Sequence, residues 1–181
     1  MPQPKKHLIY LTGFMGSGKS TIGPILANAL GFSHVDLDML IESTSGRRIP
    51  QIFSESGEAV FREIENALLR DLSARTECVV SLGGGTLTNE RNFGVVKSSG
   101  ILVYLKLSTD EAFRRLRHKT DRPMLRRPEE GNVSEKEIRE RVQRLLASRE
   151  PQYARADITV VNDDRIGKTV DLVVRKLKPF L

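Results

Sequence analysis

A glycine-rich segment that ends in Lys and Ser carries the strongest chemical signal in the sequence. Residues 13–20 read Gly-Phe-Met-Gly-Ser-Gly-Lys-Ser and match the pattern G-x-x-x-x-G-K-[ST]. Glycines let backbone N–H groups surround phosphate oxygens, and the N-terminus of a following helix adds partial positive charge. In such a loop Lys19 reaches the β- and γ-phosphates, and the hydroxyl of Ser20 ligates Mg²⁺. The segment therefore predicts a nucleotide site.

This motif does not identify a reaction, since motors, GTPases, transport ATPases and small kinases all contain it. With 181 residues, the chain is too short to add a motor or transport domain. It also lacks an Asn/Thr-Lys-x-Asp element of the kind that binds guanine in GTPases. These exclusions favour a kinase that acts on a small molecule or a nucleoside.

Two carboxylates one residue apart follow the second apolar run of the sequence. In extended backbone Asp36 and Asp38 would point the same way, at the carboxyl end of a strand where α/β sheets bind ligands. One carboxylate would then hold Mg²⁺ through water, and the other would orient or deprotonate an acceptor hydroxyl. Capping of a helix N-terminus by either residue is the alternative, and it is compatible with catalysis.

Three further features allow both a functional and a structural interpretation. Arg62 has Glu58 and Glu65 at helical spacing, which on its own favours an ion pair on a helix surface. Residues 83–85, Gly-Gly-Gly, form either a plain turn or a loop whose N–H groups approach a ligand. Residues 114–127 hold six Arg and one Lys against one acidic residue, with Phe113 as the nearby aromatic. Because stacking platforms are absent, a lid that closes over the phosphates is favoured over a nucleic-acid patch.

Short apolar runs alternate with helical patterns, which predicts a single three-layer α/β domain with a parallel five-stranded sheet. Strands are expected over 7–12, 33–36, 78–82, 101–107 and 158–161. Helices are expected over 19–30, 50–74, 89–98, from 108, over 134–149 and around 170–177, with the lid at about 118–133. The helix from 134 is expected to end near Arg149, because Pro151 disfavours helix at the residue before it.

Composition excludes several classes of protein. The charge balance of +6 favours anionic partners, and no apolar stretch reaches the roughly 18–20 residues that span a membrane. One cysteine excludes an internal disulfide, and Cys78 lies in a run typical of a buried strand. His7, His34 and His118 lack metal-ligand spacing.

The ordered set of motifs resembles the shikimate kinase family over nearly the whole chain. The matching elements are Gly-Phe-Met-Gly-Ser-Gly-Lys-Ser-Thr at 13–21, Asp36-Leu-Asp38, Phe-Arg-Glu-Ile-Glu at 61–65, Ser-Leu-Gly-Gly-Gly at 81–85, Asp121-Arg122-Pro123 and Arg-Glu-Pro-Gln-Tyr at 149–153. The resemblance implies a P-loop kinase fold and transfer of the γ-phosphoryl of ATP to the 3-hydroxyl of shikimate, a step of aromatic amino-acid biosynthesis.

The resemblance also implies a role for each site residue. Contacts to ATP are expected from Gly16, Ser17, Gly18, Lys19, Ser20, Thr21, Arg115 beside the adenine, and the lid residue Arg122. Shikimate is expected to bind Asp38, Arg62, Gly84 and Arg149, with both arginines on its carboxylate and Glu65 orienting Arg62. Ser20 and Asp36 would hold Mg²⁺, and Lys19, Asp38 and Arg122 would be catalytic. The acceptor-binding segment would run from about 36 to 65.

Three alternatives stay open: a related kinase such as a gluconate kinase, a nucleotide-dependent nucleic-acid-binding protein, and a P-loop regulator without turnover. The expected partners are ATP and shikimate, with no nucleic acid or membrane, in a monomeric cytoplasmic enzyme. Many family members carry an adenine-side arginine followed by Pro after the fifth strand. The sequence here is Arg165-Ile166, so Arg165 is not counted as a site residue.

Overall fold

The computed structural model describes residues 7–117, 134–162 and 165–181. Its described strands form one five-stranded sheet in the order β2-β3-β1-β4-β5, and all four neighbouring pairs are parallel. The strands are β1 Leu8–Thr12, β2 Ser33–Asp36, β3 Cys78–Ser81, β4 Ile101–Lys106 and β5 Ile158–Val161. The expected parallel five-stranded sheet is confirmed. The predicted lid at 118–133, which includes Arg122, lies outside the described residues.

Helices lie between the strands, as right-handed parallel connections require. Their bounds are α1 Lys19–Leu30, α2 Leu37–Ser45, α3 Ile49–Ser73, α4 Glu90–Ser99, α5 Thr109–Leu116, α6 Glu135–Tyr153 and α7 Ile166–Leu177, with a short 3₁₀ turn at Thr86–Thr88. Gly31 ends α1 in the left-handed region with φ 73°, and Ser134 begins α6 with a complete capping box.

The two faces of the sheet support two apolar layers, which gives the predicted three-layer arrangement. Tyr10 and Val80 point into one layer with residues of α2, α3 and α4, whereas their neighbours Leu11 and Val79 point into the other, with residues of α1 and α7. Successive strand residues face opposite sides, so β1 and β3 are buried on both faces. The expected burial of Cys78 is confirmed.

Three details of the helices differ from the sequence-based expectation. Helix α2 was expected only under the alternative interpretation, in which Asp36 or Asp38 caps a helix, and Asp36 does cap its N-terminus. Helix α3 contains a break at Gly57, whose φ of 82° and ψ of 168° are not helical. Helix α6 does not end near Arg149 but continues through Pro151 to Tyr153. Burial of Tyr153, which is 1% exposed, and a 2.6 Å hydrogen bond from its hydroxyl to the carbonyl of Gly84 stabilise this last turn against the proline penalty.

Candidate active site

The P-loop connects β1 to α1 through three glycines in backbone conformations that other residues rarely adopt. The φ angles of Gly13, Gly16 and Gly18 are 149°, 78° and 90°. A Cβ on Gly13 would lie 2.6 Å from the carbonyl oxygen of Leu105, so the loop packs directly against the end of β4. The segment therefore has the tight strand–loop–helix path that a phosphate-binding loop requires.

Lys19 is the first residue of α1, and its ammonium group lies along the P-loop. The Nζ atom donates to the carbonyl oxygens of Gly13 at 2.7 Å and Phe14 at 3.2 Å. Burial and the charge of Asp36 raise the pKa of Asp38, and the charge of Lys19 offsets part of that increase, so the ammonium is within electrostatic reach of that carboxylate. Lys19 therefore lies between the phosphate loop and the predicted acceptor residues.

A hydroxyl and a carboxylate meet beside the start of α1. Ser20 Oγ donates to Asp36 Oδ2 at 3.2 Å, and Asp36 Oδ1 accepts from the backbone N–H groups of Asp38 at 3.0 Å and Met39 at 3.2 Å. These oxygens suit Mg²⁺, which takes few protein ligands and completes its shell with water and phosphate oxygens. Among residues 7–117, 134–162 and 165–181, no group of three or more His, Cys, Asp or Glu residues forms a metal cage.

Asp38 lies in the first turn of α2, so the extended backbone expected for Asp36-Leu-Asp38 is wrong. The alternative, helix capping by Asp36, is what the structure contains. The two carboxylates nevertheless interact: burial and the charge of Asp36 raise the pKa of Asp38 from 3.8 to about 6, with smaller increases from Glu65 and Glu42. A carboxylate with this pKa is suited to accept a proton near neutral pH.

The triple-glycine loop after β3, which includes Gly84, brings together the three side chains predicted to bind the acceptor. A Cβ on Gly83 would lie 2.7 Å from Asp38 Oδ1, and a Cβ on Gly84 would lie 3.0 Å from Arg149 Nη1. A Cβ on Gly85 would lie 3.3 Å from Arg62 Nη2 and 3.9 Å from Arg149 Nη2. The absence of side chains at 83–85 therefore gives one carboxylate and two guanidinium groups room to converge.

Arg62 is held between an exposed and a buried glutamate. Its Nη1 donates to Glu65 Oε2 at 2.8 Å, and its Nε and Nη2 donate to Glu58 Oε1 at 3.3 and 3.2 Å. The Glu58 side chain is 67% exposed, whereas that of Glu65 is 1% exposed. The surface ion pair expected for Arg62 is therefore present with Glu58, whereas the ion pair with Glu65 is buried. The buried ion pair fixes the guanidinium of Arg62.

Glu65 belongs to a hydrogen-bond network that sequence reasoning missed. Thr86 Oγ1 donates to Glu65 Oε1 at 2.7 Å, and Asn92 Nδ2 donates to Glu65 Oε2 at 3.1 Å and to the Thr86 carbonyl at 3.2 Å. The Asn92 Oδ1 atom accepts from Asn66 Nδ2 at 2.7 Å. Thr86 and Asn92 are fully buried. Nothing in their local sequence distinguishes them from ordinary helix and turn residues, because their partners are distant along the chain.

Arg115 lies on the other side of the P-loop. Its Nη1 donates to the Gly16 carbonyl at 3.1 Å, its Nη2 donates to the Asn162 carbonyl at 2.8 Å, and its Nε donates to Glu111. This position lies between the loop and the end of β5, whereas residues 83–85 follow β3, on the other side of β1 in the sheet. Gly16, Ser17, Gly18, Ser20 and Thr21 all lie in the loop or in the first turn of α1.

Of the three histidines, His7 and His34 lie within the described part of the chain, and His118 lies outside it. His34 Nε2 is 3.0 Å from Ser81 Oγ, and that hydroxyl donates to the Lys19 carbonyl at 3.2 Å. Burial lowers the pKa of His34.

None of the described helices is both long enough and apolar enough to cross a membrane.

A P-loop that precedes a helix, with a carboxylate and two arginines converging near it, is typical of a P-loop kinase that acts on a small molecule. The shikimate kinase family model matches residues 15–178. A shikimate kinase from Chlorobium chlorochromatii is 51% identical over 180 residues, which cover 99% of this chain and 95% of that protein. One from Chlorobaculum parvum is 49% identical over 176 residues, which cover 96% and 94%. The chain belongs to the shikimate kinase family, whose members are ATP-dependent phosphotransferases.

Solved structures agree with this assignment. A shikimate kinase from Acinetobacter baumannii in complex with shikimate has a TM-score of 0.84 and 32% identity, covering 95% of this chain and 93% of that one. A gluconokinase from Sinorhizobium meliloti has a TM-score of 0.57 and 16% identity, which is a likeness of fold alone. The comparisons therefore favour shikimate kinase over the gluconate kinase alternative.

Proposed function

We propose that this chain transfers the γ-phosphoryl group of ATP to the 3-hydroxyl of shikimate, with the residues around the triple-glycine loop as the acceptor site. The observation that carries the proposal is the convergence of Asp38, Arg62 and Arg149 on residues 83–85, beside the P-loop. Shikimate presents a carboxylate and hydroxyl groups, which match two guanidinium groups and one carboxylate.

Arg62 and Arg149 bind the shikimate carboxylate, with Gly84 contributing its backbone. The planar fork of a guanidinium donates two parallel N–H groups to a carboxylate, so two arginines define the orientation of the ring. The buried Glu65 keeps Arg62 in place. Tyr153 holds the glycine loop beside Arg149, since its hydroxyl donates a hydrogen bond to the carbonyl of Gly84.

Asp38 binds the reacting hydroxyl and accepts its proton. As the 3-oxygen of shikimate forms its bond to the γ-phosphorus, the bond between that phosphorus and the β–γ bridging oxygen breaks, and ADP leaves. With a pKa raised to about 6 by burial and by the charge of Asp36, the carboxylate is ionised at neutral pH and ready to take the proton.

The P-loop binds the phosphates, and Lys19 neutralises the charge that develops during transfer. Phosphoryl transfer depends mostly on positioning and charge neutralisation, which the amides of 16–21 and the ammonium of Lys19 supply. Arg122 is assigned the same charge role from its motif, Asp121-Arg122-Pro123, and Arg115 is assigned to the adenine side.

Ser20 and Asp36 are the residues that would hold Mg²⁺. Their oxygen donors lie 3.2 Å apart beside the first turn of α1. Mg²⁺ held there would offset the negative charge of the phosphates during transfer. The monomeric state, the cytoplasmic location, the single-domain organisation and the lid at 118–133 stay predictions from the sequence.

The test compares the KM for shikimate with the KM for shikimate methyl ester, which lacks the carboxylate charge, in the unaltered chain and in Arg62→Ala. The unaltered chain is expected to show a KM for shikimate methyl ester about tenfold to a hundredfold above that for shikimate, since charged hydrogen bonds contribute about 1.5–3 kcal/mol. Arg62→Ala is expected to lose most of this preference while it keeps its Kd for MgADP. Arg70→Ala, an exposed arginine on the same helix, is the matched control. An Arg62→Ala variant with the full preference for shikimate would contradict the proposal.

A further inference from the structure

The side chain of Asn162 connects the P-loop to α7 from inside the protein. Asn162 directly follows β5 and is 2% exposed. Its Nδ2 donates to the Ser17 carbonyl at 2.5 Å, and its Oδ1 accepts from Thr169 Oγ1 at 2.8 Å. Ser17 and Thr169 are themselves buried. Because the Thr169 hydroxyl donates to the oxygen end of the amide, the NH₂ end faces the loop.

Side chains of Arg115 and Asn162 hold two consecutive carbonyl groups of the P-loop. Arg115 Nη1 donates to the carbonyl of Gly16 at 3.1 Å, and Asn162 holds the carbonyl of Ser17. Arg115 Nη2 also donates to the main-chain carbonyl of Asn162 at 2.8 Å, which joins the two contacts. A Cβ on Gly18 would lie 3.1 Å from Asn162 Nδ2, so the loop backbone packs directly on the amide.

Peptide geometry converts this contact into an orientation of a phosphate donor. In a planar trans peptide the C=O of one residue and the N–H of the next point in opposite directions. The bond from Asn162 to the Ser17 carbonyl therefore directs the Gly18 N–H away from Asn162. Backbone N–H groups of a P-loop bind phosphate oxygens, so the direction of this amide bears on nucleotide affinity.

We infer that Asn162 is a positioning residue for the nucleotide, acting through the Ser17–Gly18 peptide, with Thr169 fixing the orientation of its amide. This inference rests on the nucleotide site of the proposed function and goes beyond the residues of the P-loop motif. It also predicts that Asn162 affects nucleotide binding but not acceptor binding, because Asn162 follows β5 whereas residues 83–85 follow β3, and these strands lie on opposite sides of β1 in the sheet.

The experiment compares Asn162→Ala with Asn92→Ala, two substitutions that each remove one buried amide. Calorimetric titration gives the Kd for MgADP, and initial rates at saturating MgATP give the KM for shikimate. Asn162→Ala is expected to raise the Kd for MgADP about threefold to tenfold, the range for loss of one hydrogen bond, with the KM for shikimate unchanged. Asn92→Ala, in the network behind Arg62, is expected to show the reverse pattern.

Thr169→Val serves as the second variant, since it keeps the side-chain shape and removes the hydroxyl that fixes the amide. It is expected to raise the Kd for MgADP in the same direction by a smaller factor, and it decides the question if Asn162→Ala does not fold. A Kd for MgADP within about twofold of the unaltered chain in folded variants would overturn the inference. Equal increases in the Kd for MgADP and the KM for shikimate would overturn it too, since general loosening of the fold would explain them.

Failure of the proposed function would be distinguishable from failure of this inference. The Kd for MgADP is measured without an acceptor, so it reports on Asn162 whatever the acceptor is. Absence of shikimate phosphorylation by the unaltered chain, with MgADP still bound, would contradict the proposed function alone.

Discussion

Asp38→Asn is expected to stabilise the protein while it removes activity. Asn keeps the size of the side chain and removes its charge, in a partly buried place where Asp36, Glu65 and Glu42 all disfavour a carboxylate. At neutral pH the folded protein therefore holds a charge that the unfolded chain carries at lower cost. Removal of that charge removes the cost.

The size of the effect follows from the raised pKa of Asp38. One pH unit of difference between folded and unfolded pKa corresponds to about 1.4 kcal/mol. The increase from 3.8 to about 6 therefore lowers the free energy of unfolding by up to about 3 kcal/mol once both states are ionised. Loss of a positioned base is expected to lower kcat by about 10²–10⁴.

The stability advantage of Asp38→Asn is expected to depend on pH. Above about pH 6 the Asn variant is expected to have its full stability advantage, because Asp38 of the unaltered chain is ionised in both states. As the pH falls from about 6 towards 3.8, Asp38 takes up its proton first in the folded state, and the advantage disappears. Urea unfolding followed by circular dichroism measures the stability difference at about pH 7.5, above the transition, and at about pH 4.5, within it, where about 1 kcal/mol of the advantage is expected to remain.

Asp171→Asn is the matched control, since it makes the same change at an exposed position on α7. It is expected to alter the free energy of unfolding by less than about 0.5 kcal/mol. An Asp38→Asn variant that is no more stable than the unaltered chain at neutral pH, or equally more stable at both pH values, would refute the argument from burial and charge.

Three further outcomes follow from the same geometry. Lys19→Ala is expected to lower kcat by at least about 10² with the protein still folded, measured as ADP release. Gly83→Ala is expected to lower kcat/KM for shikimate at least about tenfold, because its Cβ would lie 2.7 Å from Asp38 Oδ1. Gly94→Ala, where a Cβ meets nothing within 4 Å, is its control and should leave kcat/KM unchanged. In the unaltered chain, kcat/KM for shikimate should fall about tenfold per pH unit below about pH 6, as Asp38 becomes protonated; a flat profile down to about pH 5 would contradict its role as base.

The fold was predictable because its signals are local. Alternating apolar runs and helical patterns identified five strands and most helices, and the capping motif at Ser134 marked the start of α6 correctly. Helix α2 was only the alternative interpretation because Asp36-Leu-Asp38 fits an extended segment as well as a capped helix, and long-range packing decides between them. The end of α6 was missed for a related reason, since the contacts of Tyr153 with the glycine loop outweigh the local preference of Pro151.

Candidate site residues could be proposed one by one from the sequence, but their arrangement could not be predicted. The P-loop motif specifies its own geometry, whereas the spacing around Arg62 indicated only a surface ion pair. What holds Arg62 is the buried Glu65, and the hydrogen bonds of Thr86 and Asn92 to Glu65 span 21 and 27 residues of chain. Asn162 lies 145 residues from the Ser17 carbonyl it holds. Contacts of this separation leave no periodic signal in one sequence.

The most direct test of the central claim is the acceptor dependence of ADP release. Initial rates with MgATP would be compared without acceptor, with shikimate and with gluconate, and the phosphorylated product identified by phosphorus NMR. Rapid ADP release with shikimate alone, matched by formation of shikimate 3-phosphate, is the predicted result. Turnover with gluconate, or ADP release that shikimate does not increase, would contradict the assignment of Asp38, Arg62 and Arg149 as the acceptor site.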